Sequence, residues 1–167
     1  MLRDIVGADT YAAAHGRLSP QTRHEVDTLN AMGWLPITTF NEVIEEIARS
    51  ASMDPEAMLD KAVRLAVQKT FKTVWRVLLR VTSDDALIKR TPMIYSRGRN
   101  VGALSSRMVG PGHSELLLSG YPEPTDRTIR TIGVGIQSVV ELAGRREVRM
   151  SYERTSDGGR YDLRWKL

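Results

Sequence analysis

A chain of 167 residues that is 41% hydrophobic and 26% charged has the composition of an ordinary globular protein and the length of a single domain. It contains no cysteine, which excludes disulfides and thiolate metal sites, and its three histidines, His15, His24 and His113, stand too far apart to suggest a metal cluster. The formal charge of +4 owes more to arginine than to lysine, and the clusters Lys69/Lys72/Arg76/Arg80, Arg97/Arg99 and Arg145/Arg146/Arg149 are short, so nucleic acid is not the expected partner.

No apolar run approaches the roughly 20 residues of a membrane span. The first ten residues carry Asp4 and Asp9 and lack the apolar core of a signal peptide, so a cytoplasmic location is expected. A length of this order buries roughly 70% of the surface of the unfolded chain, enough for a core without covalent staples.

Helix starts are legible from the N-terminal side onward. Ser19-Pro20 sets an N-cap before a proline at the first helical position, and Gly33 is expected to stop that helix after Ala31-Met32. Trp34-Leu35-Pro36 forms an apolar elbow. Thr39 and Glu42 have the capping-box spacing, followed by an apolar stripe of Phe40, Val43, Ile44, Ile47 and Ala48. Asp54-Pro55 opens a third helix, whose apolar positions predict a run to about Val81, long enough to be the spine of the fold. Ser83-Asp84-Asp85 caps a short helix, Ala86–Arg90, which Pro92 is expected to end. The stretch Met93–Arg99 fits a strand or a loop.

From Asn100 onward the pattern is hairpin, helix, hairpin. The first hairpin is Asn100–Val109 and His113–Gly120 around Gly110-Pro-Gly112. The helix is Thr125–Ala143, and the second hairpin is Glu147–Arg154 and Arg160–Lys166 around Ser-Asp-Gly-Gly. Val148, Met150 and Tyr152 share a strand face, as do Tyr161, Leu163 and Trp165, while Arg149, Arg164 and Lys166 take the opposite face. One apolar and one wet face describe an antiparallel sheet under one helix layer. The expected fold is therefore α+β in one domain, 1–167: a mainly helical part, 1–92, packed on a ββαββ part, 93–167.

Motifs for chemistry are weak. Gly133-Val-Gly135-Ile-Gln-Ser138 misses the third glycine of a dinucleotide fingerprint and follows a proline-rich loop, so its glycines are read as helix-packing residues. Gly110-Pro-Gly112 lacks a following Lys-Ser/Thr and is read as a hairpin turn. His113 stands beside Ser114 and Glu115, but Ser114 has no nucleophile-elbow context and Glu115 points to the other strand face; a surface histidine is expected. No catalytic, cofactor-binding or metal-binding residue is assigned. Arg149, Arg164 and Lys166 are the candidate contact surface. Trp34, Phe71, Trp75, Tyr152 and Trp165 are candidates for an apolar pocket between helices and sheet, with core packing as their simpler role.

The order of these signals carries a resemblance. Trp34-Leu-Pro36, a long helix, a short helix, a hairpin, Gly120-Tyr-Pro122, a helix ending in Ala143-Gly144, then Val148, Gly158-Gly159, Tyr161 and Trp165 together resemble a large uncharacterised family of paralogues best known from myxobacteria. More remotely, the ending is similar to the 4-vinyl-reductase-type small-ligand domain and to heme–nitric-oxide sensor domains. The first of these usually carries a cysteine near its end, absent here. The heme sensors have an axial histidine followed by Tyr-x-Ser-x-Arg, whereas Tyr95-Ser96-Arg97-Gly98-Arg99 places serine at another offset and no histidine lies between His24 and His113. The resemblance implies a regulatory or ligand-sensing domain without heme and without chemistry of its own, often a dimer.

Two functions follow as expectations. The first is a non-catalytic signalling or adaptor domain acting through protein–protein contacts, including self-association as a homodimer. The alternative is a small-molecule sensor that binds an apolar ligand between helices and sheet. An enzyme is not expected, because no nucleophile–base pair or metal set can be assembled.

Overall fold

The computed structural model describes residues 2–30, 33, 35–71 and 73–166, with backbone alone for 73–76. The elements in chain order are α1 (Leu2–Val6), α2 (Ala8–Arg17), α3 (Pro20–Thr28), α4 (Ile37–Ser50), α5 (Pro55–Thr70), α6 (Thr73–Val81), α7 (Asp84–Gly98), β1 (Ala103–Gly110), β2 (His113–Ser119), α8 (Asp126–Leu142), β3 (Arg146–Thr155) and β4 (Gly158–Lys166). The expected α+β class holds. The chain divides into two compact units, Met1–Leu65 and Ala66–Leu167.

In the first unit, α2 and α4 bury Ala14, Leu18, Val43, Ile44, Ile47 and Ala48 together with Met58 and Leu59 of α5. Ser19 caps α3 as expected, accepting from the Thr22 N–H at 3.2 Å. The capping box at Thr39 does not form. Helix α4 begins two residues earlier, at Ile37 behind Pro36, so Thr39 lies inside it, buried, and donates to Glu25 of α3. Glu42 reaches instead to the start of α3, where it accepts from the Ser19 N–H (2.7 Å), the Ser19 hydroxyl (3.2 Å) and the Thr22 hydroxyl (2.5 Å). A carboxylate at that helix start meets unpaired N–H groups and the positive end of the dipole. These hydrogen bonds, from Thr22 first, hold the Glu42 carboxyl below its ordinary range.

Two helix ends differ from expectation. Helix α3 stops at Thr28, before Gly33, and the expected Pro55–Val81 spine is two helices, parted at Phe71. The hydroxyls of Thr28, Thr70 and Thr82 donate to the carbonyls four residues back, His24 (2.7 Å), Ala66 (2.9 Å) and Leu78 (2.6 Å). The same bond occurs inside α7, from Thr91 to the Leu87 carbonyl (3.2 Å), and inside α8, from Thr131 to the Arg127 carbonyl (2.6 Å), so it accompanies these helix ends without accounting for them. Trp34 and the Ala31-Met32 helix end lie outside the described residues.

Helix α7 overturns another expectation: it runs through Pro92 to Gly98, so Met93–Arg99 is neither strand nor loop. Proline inside a helix leaves the carbonyl four residues earlier without its N–H. That carbonyl, of Ile88, is taken by the Ser106 hydroxyl of β1 at 2.7 Å. Tyr95, one turn on, donates its hydroxyl to the Val101 carbonyl at 2.7 Å. The Ser106 hydroxyl thus replaces what proline removes.

The C-terminal module follows the sequence pattern closely. The strands form one antiparallel sheet in the order β1-β2-β4-β3. Strand β4 is central, and its Tyr161, Leu163 and Trp165 are 6% exposed or less. Helix α8, capped by Thr125, lays Ile129, Ile132, Ile136, Val139 and Val140 on the same face, and α7 adds Leu87, Ile88 and Tyr95. A Cβ on Gly133 would lie 3.4 Å from the Tyr161 ring, ordinary van der Waals contact, so α8 comes close there without the contact demanding glycine. In the Ser-Asp-Gly-Gly turn the glycines are required by neighbours more than by turn geometry. A Cβ on Gly158 would stand 2.0 Å from the Leu118 carbonyl oxygen. The exception to the face pattern is Tyr152, 43% exposed because β3 is the sheet edge.

One buried ion pair joins the pieces of this unit. The Arg145 side chain, 7% exposed, binds Asp84 at the start of α7 through Nε (2.8 Å) and Nη2 (2.7 Å). Its guanidinium also donates to the carbonyls of Ala143 (2.7 Å), Thr82 (2.6 Å) and Leu79 (3.4 Å). The Trp165 indole N–H completes the set by donating to the second Asp84 oxygen at 3.0 Å. Removing one partner of a buried, fully bonded pair strands the other, at a cost of about 3–5 kcal/mol. Arg145→Ala is therefore expected to lower unfolding free energy by that order in urea denaturation, and Arg145→Lys to recover only part of it. Gly158→Ala is expected to cost about 2 kcal/mol or more, whereas Gly110→Ala, with no atom within 4 Å of its Cβ, stays within about 0.5 kcal/mol.

Candidate functional site

The helices cover one face of the sheet; the other face is the most distinctive surface of the second unit. Alternation along each strand and the register across strands place its side chains in rows. Arg107, Glu115, Asp162 and Ser151 form one row, and Ser105, Leu117, Arg160 and Glu153 the next. His113, Arg164 and Arg149 form a third. Together the first two rows line an open trough of about 660 Å³.

The charges of this face are largely paired. Arg107 binds Glu115 through Nε (2.9 Å) and Nη2 (2.5 Å). Asp162 accepts from Arg164 Nε at 2.8 Å and meets His113 Nε2 at 2.6 Å. Lys166 reaches Glu147 at 2.8 Å. Arg149 and Arg160 have no polar partner among the described residues. Of the sequence-assigned contact residues, Arg149 thus projects free, while Arg164 and Lys166 are exposed but tied to acidic neighbours. Leu117, 43% exposed, is the apolar centre of the face.

The His113–Asp162 pair, 49 residues apart in sequence, was not visible to sequence reasoning; the only signal for it is the pairing of β2 with β4. It does not make a hydrolytic site. Ser114 points to the opposite face, where it is fully buried and its hydroxyl has no partner. Ser151 is on β3, two strand spacings from β2, or roughly 10 Å away. No group of three metal-ligating side chains occurs among the described residues.

Of the five aromatic pocket residues, three have described side chains, Phe71, Tyr152 and Trp165, and these three stand in different surroundings. Trp165 is 6% exposed and bound to Asp84, and Phe71 packs half-buried against the same core. Tyr152 stands out at the sheet edge. Trp34 and the Trp75 side chain lie outside the described residues. The space between the sheet and helices α7 and α8 is filled by the protein's own side chains.

Of the remaining histidines and tyrosines, His15, Tyr95 and Tyr161 are also engaged. His15, half-buried, bonds Asp27 at 2.8 Å and stacks on Tyr11, while His24 is exposed on α3. Tyr161 donates its hydroxyl to the Ile129 carbonyl at 3.1 Å. Burial pushes the Tyr95 hydroxyl up to about 12 and Tyr161 further in the same direction. In the Tyr95–Arg99 segment, Tyr95 is buried, Ser96 bonds back to Met93 and Arg97 is exposed, so the three do not converge.

The hydrogen bond from Arg164, aided by that from His113, holds the Asp162 carboxyl below the usual aspartate value of 3.8, against a smaller opposing effect of burial. A carboxylate with a depressed folded-state pKa stabilises the fold above its unfolded value, and the contribution is lost as pH falls through the folded one. Asp162→Asn is therefore expected to be less stable than the parent at neutral pH. That gap should close as pH falls from about 5 towards about 2, measured by urea denaturation at each pH. A constant gap would assign the effect to packing.

No family model and no curated protein matches the chain. Solved structures do. An Fe(II) unliganded H-NOX protein from K. algicida superposes with a TM-score of 0.69 at 10% identity, covering 99% of this chain and 91% of that one. The I5F mutant of T. tengcongensis H-NOX gives 0.70 at 12% identity, covering 99% and 92%. An H-NOX protein from S. oneidensis in the Fe(II)NO ligation state gives 0.68 at 9% identity, covering 99% and 96%. The chain has the H-NOX fold.

Proposed function

We propose that this chain is a small-molecule sensor module, of the architecture used by heme–nitric-oxide sensors but reading a small apolar ligand in place of heme. The observation that carries this reading is the extent of the likeness. It covers 99% of the chain, so the helices before the sheet are shared as well as the ββαββ module. A fold alone does not assign an activity, and the ligand class rests on the donor chemistry of this chain.

Heme iron is held by histidine, cysteine thiolate, methionine or tyrosine side chains. Here there is no cysteine. His15 and His113 are committed to aspartates, and His24 is exposed on the first unit. The phenols of Tyr95 and Tyr161 donate to backbone carbonyls, and burial makes their anionic forms costly. Met58 is sealed in the core of the first unit, Met93 is exposed, and Met108 and Met150 pack against the second core with no histidine or cysteine among its residues. These residues do not fit heme, and no role is assigned through it. What the chain offers a ligand is apolar surface. Half-buried Val67, Phe71, Ile94, Met108 and Met150 pack at the margins of the second core, and methionine adapts readily to a guest.

The adaptor reading keeps one specific support, the uncovered sheet face with unpaired Arg149 and Arg160; in a sensor, the same face serves as the output surface.

Thermal unfolding of the purified chain against a panel of small apolar compounds tests the sensor reading. A true ligand at about a hundred times its Kd raises stability by about 2.7 kcal/mol, or ~5 °C or more in Tm. Hemin titration is expected to give no axial-ligand Soret band, and His15→Ala, His24→Ala and His113→Ala to leave that result unchanged. A panel without shifts, together with native mass spectra free of bound compounds, overturns the sensor reading. A ligated heme spectrum overturns only the choice of ligand.

A further inference from the structure

We infer that the β3 edge of the sheet docks a second copy of this chain: two β3 strands pair antiparallel about a two-fold axis at Ser151 and join the two sheets into one. A sheet edge carries backbone N–H and C=O groups without a partner in the sheet, which makes it a template for a further strand. This sheet has two edges, β1 and β3. Beyond the register shift between Arg146 and Arg149, β3 is regular, and Arg149, Ser151, Tyr152, Glu153 and Arg154 are all exposed.

The charges of this segment identify the occupant. On the open face β3 presents Arg149, Ser151 and Glu153, a cation and an anion placed symmetrically about a small neutral residue. Neither charge has a polar partner among the described residues. A two-fold axis normal to the sheet sets each strand against itself reversed, with like faces together. With the axis at Ser151, Arg149 of each copy stands opposite Glu153 of the other, so two ion pairs form. An axis at Arg149 or at Glu153 sets like charges opposite, one at Met150 opposes Glu147 to Glu153, and one at Tyr152 opposes Met150 to Arg154. Opposite charges across strands favour a pairing and like charges disfavour it, so charge selects the Ser151 register.

The same register resolves the other face. It places Met150, half-buried at the margin of the core, opposite Tyr152 of the second copy, whose ring is 43% exposed in the single chain. A thioether against an aromatic edge is a favourable cover for such a ring. Strand β1 offers none of this: Arg107, the charge on its open face, is already bonded to Glu115 of its own chain, and Ser106 is turned to α7. A purely acidic strand from another protein would answer Arg149 and repel Glu153, and a basic one the reverse. A second copy answers both.

Sedimentation equilibrium of the full chain tests the pairing. One paired edge is a small interface, so the dimer is expected to be weak and reversible, the mean mass rising from that of one chain towards that of two between about 10 μM and about 1 mM. Arg149→Glu and Glu153→Arg, each alone, set like charges opposite and are expected to weaken association by about tenfold or more. Mixed in equal amounts, the two variants are complementary at both positions and should associate as the parent does. The chain has no cysteine, so Ser151→Cys introduces a lone thiol that meets its own copy at the axis, with Cα atoms about 4.5–5.5 Å apart and within disulfide reach. Mild oxidation is expected to give a covalent dimer, whereas Ser105→Cys on β1 should stay monomeric. All these positions are exposed, so the variants should keep a Tm close to that of the parent. A chain that stays monomeric to about 1 mM, charge variants that associate like the parent, or a mixture no better than its components overturns the proposal. So does cross-linking through Ser105→Cys in place of Ser151→Cys, which would move the interface to β1.

Discussion

The second unit depends on a single buried guanidinium. Arg145 follows the end of α8, and from there it holds the carbonyls that close α6, the carboxylate that opens α7 and, through that carboxylate, the indole of the central strand. Three stretches far apart in sequence, 79–84, 143–145 and Trp165, meet at one charge. Burying it is tolerable only because every donor direction finds an acceptor; a guanidinium with fewer partners would leave charge desolvated without return. The position of α7 over the sheet is thus fixed by electrostatics at its first residue and by the apolar contacts of Leu87, Ile88 and Tyr95 along its length.

Much of this was legible in the chain. The caps at Ser19, Ser83 and Thr125 are local signals and operate as such, because an N-cap is a contract between residues three apart. The hairpins and the apolar face of β4 follow from period-two alternation. Failures arose where a distant partner replaced a local one. Pro92 reads as a helix stop until Ser106, 14 positions on, supplies the missing bond. Thr39 and Glu42 have the spacing of a box, yet each bonds to α3. The site was less legible than the fold. Arg149, Arg164 and Lys166 were placed on the correct face by alternation alone, but the His113–Asp162 pair depends on strand order, which no local pattern encodes.

The likeness to the H-NOX structures is one of architecture. With 9–12% identity over nearly the whole chain, what this protein shares with them is the arrangement of elements. That is the normal relation between scaffold and site: packing constrains volume and polarity, and many sequences satisfy it. What remains particular to this chain is its surface, above all a sheet face of interlocked charges.

The bond from Ser106 to Ile88 has a mechanical meaning. A helix with an unbroken ladder can slip along its axis without exposing any backbone group, since each carbonyl travels with its own donor. Helix α7 cannot. Its proline has exported one bond to β1, so axial travel by a single residue would leave that carbonyl bare in an apolar layer. Any displacement that keeps the bond must carry β1 with it, and β1 bears Ser105 and Arg107 on the open face. Movement at the helix is in this way geared to the outer sheet surface by one hydroxyl.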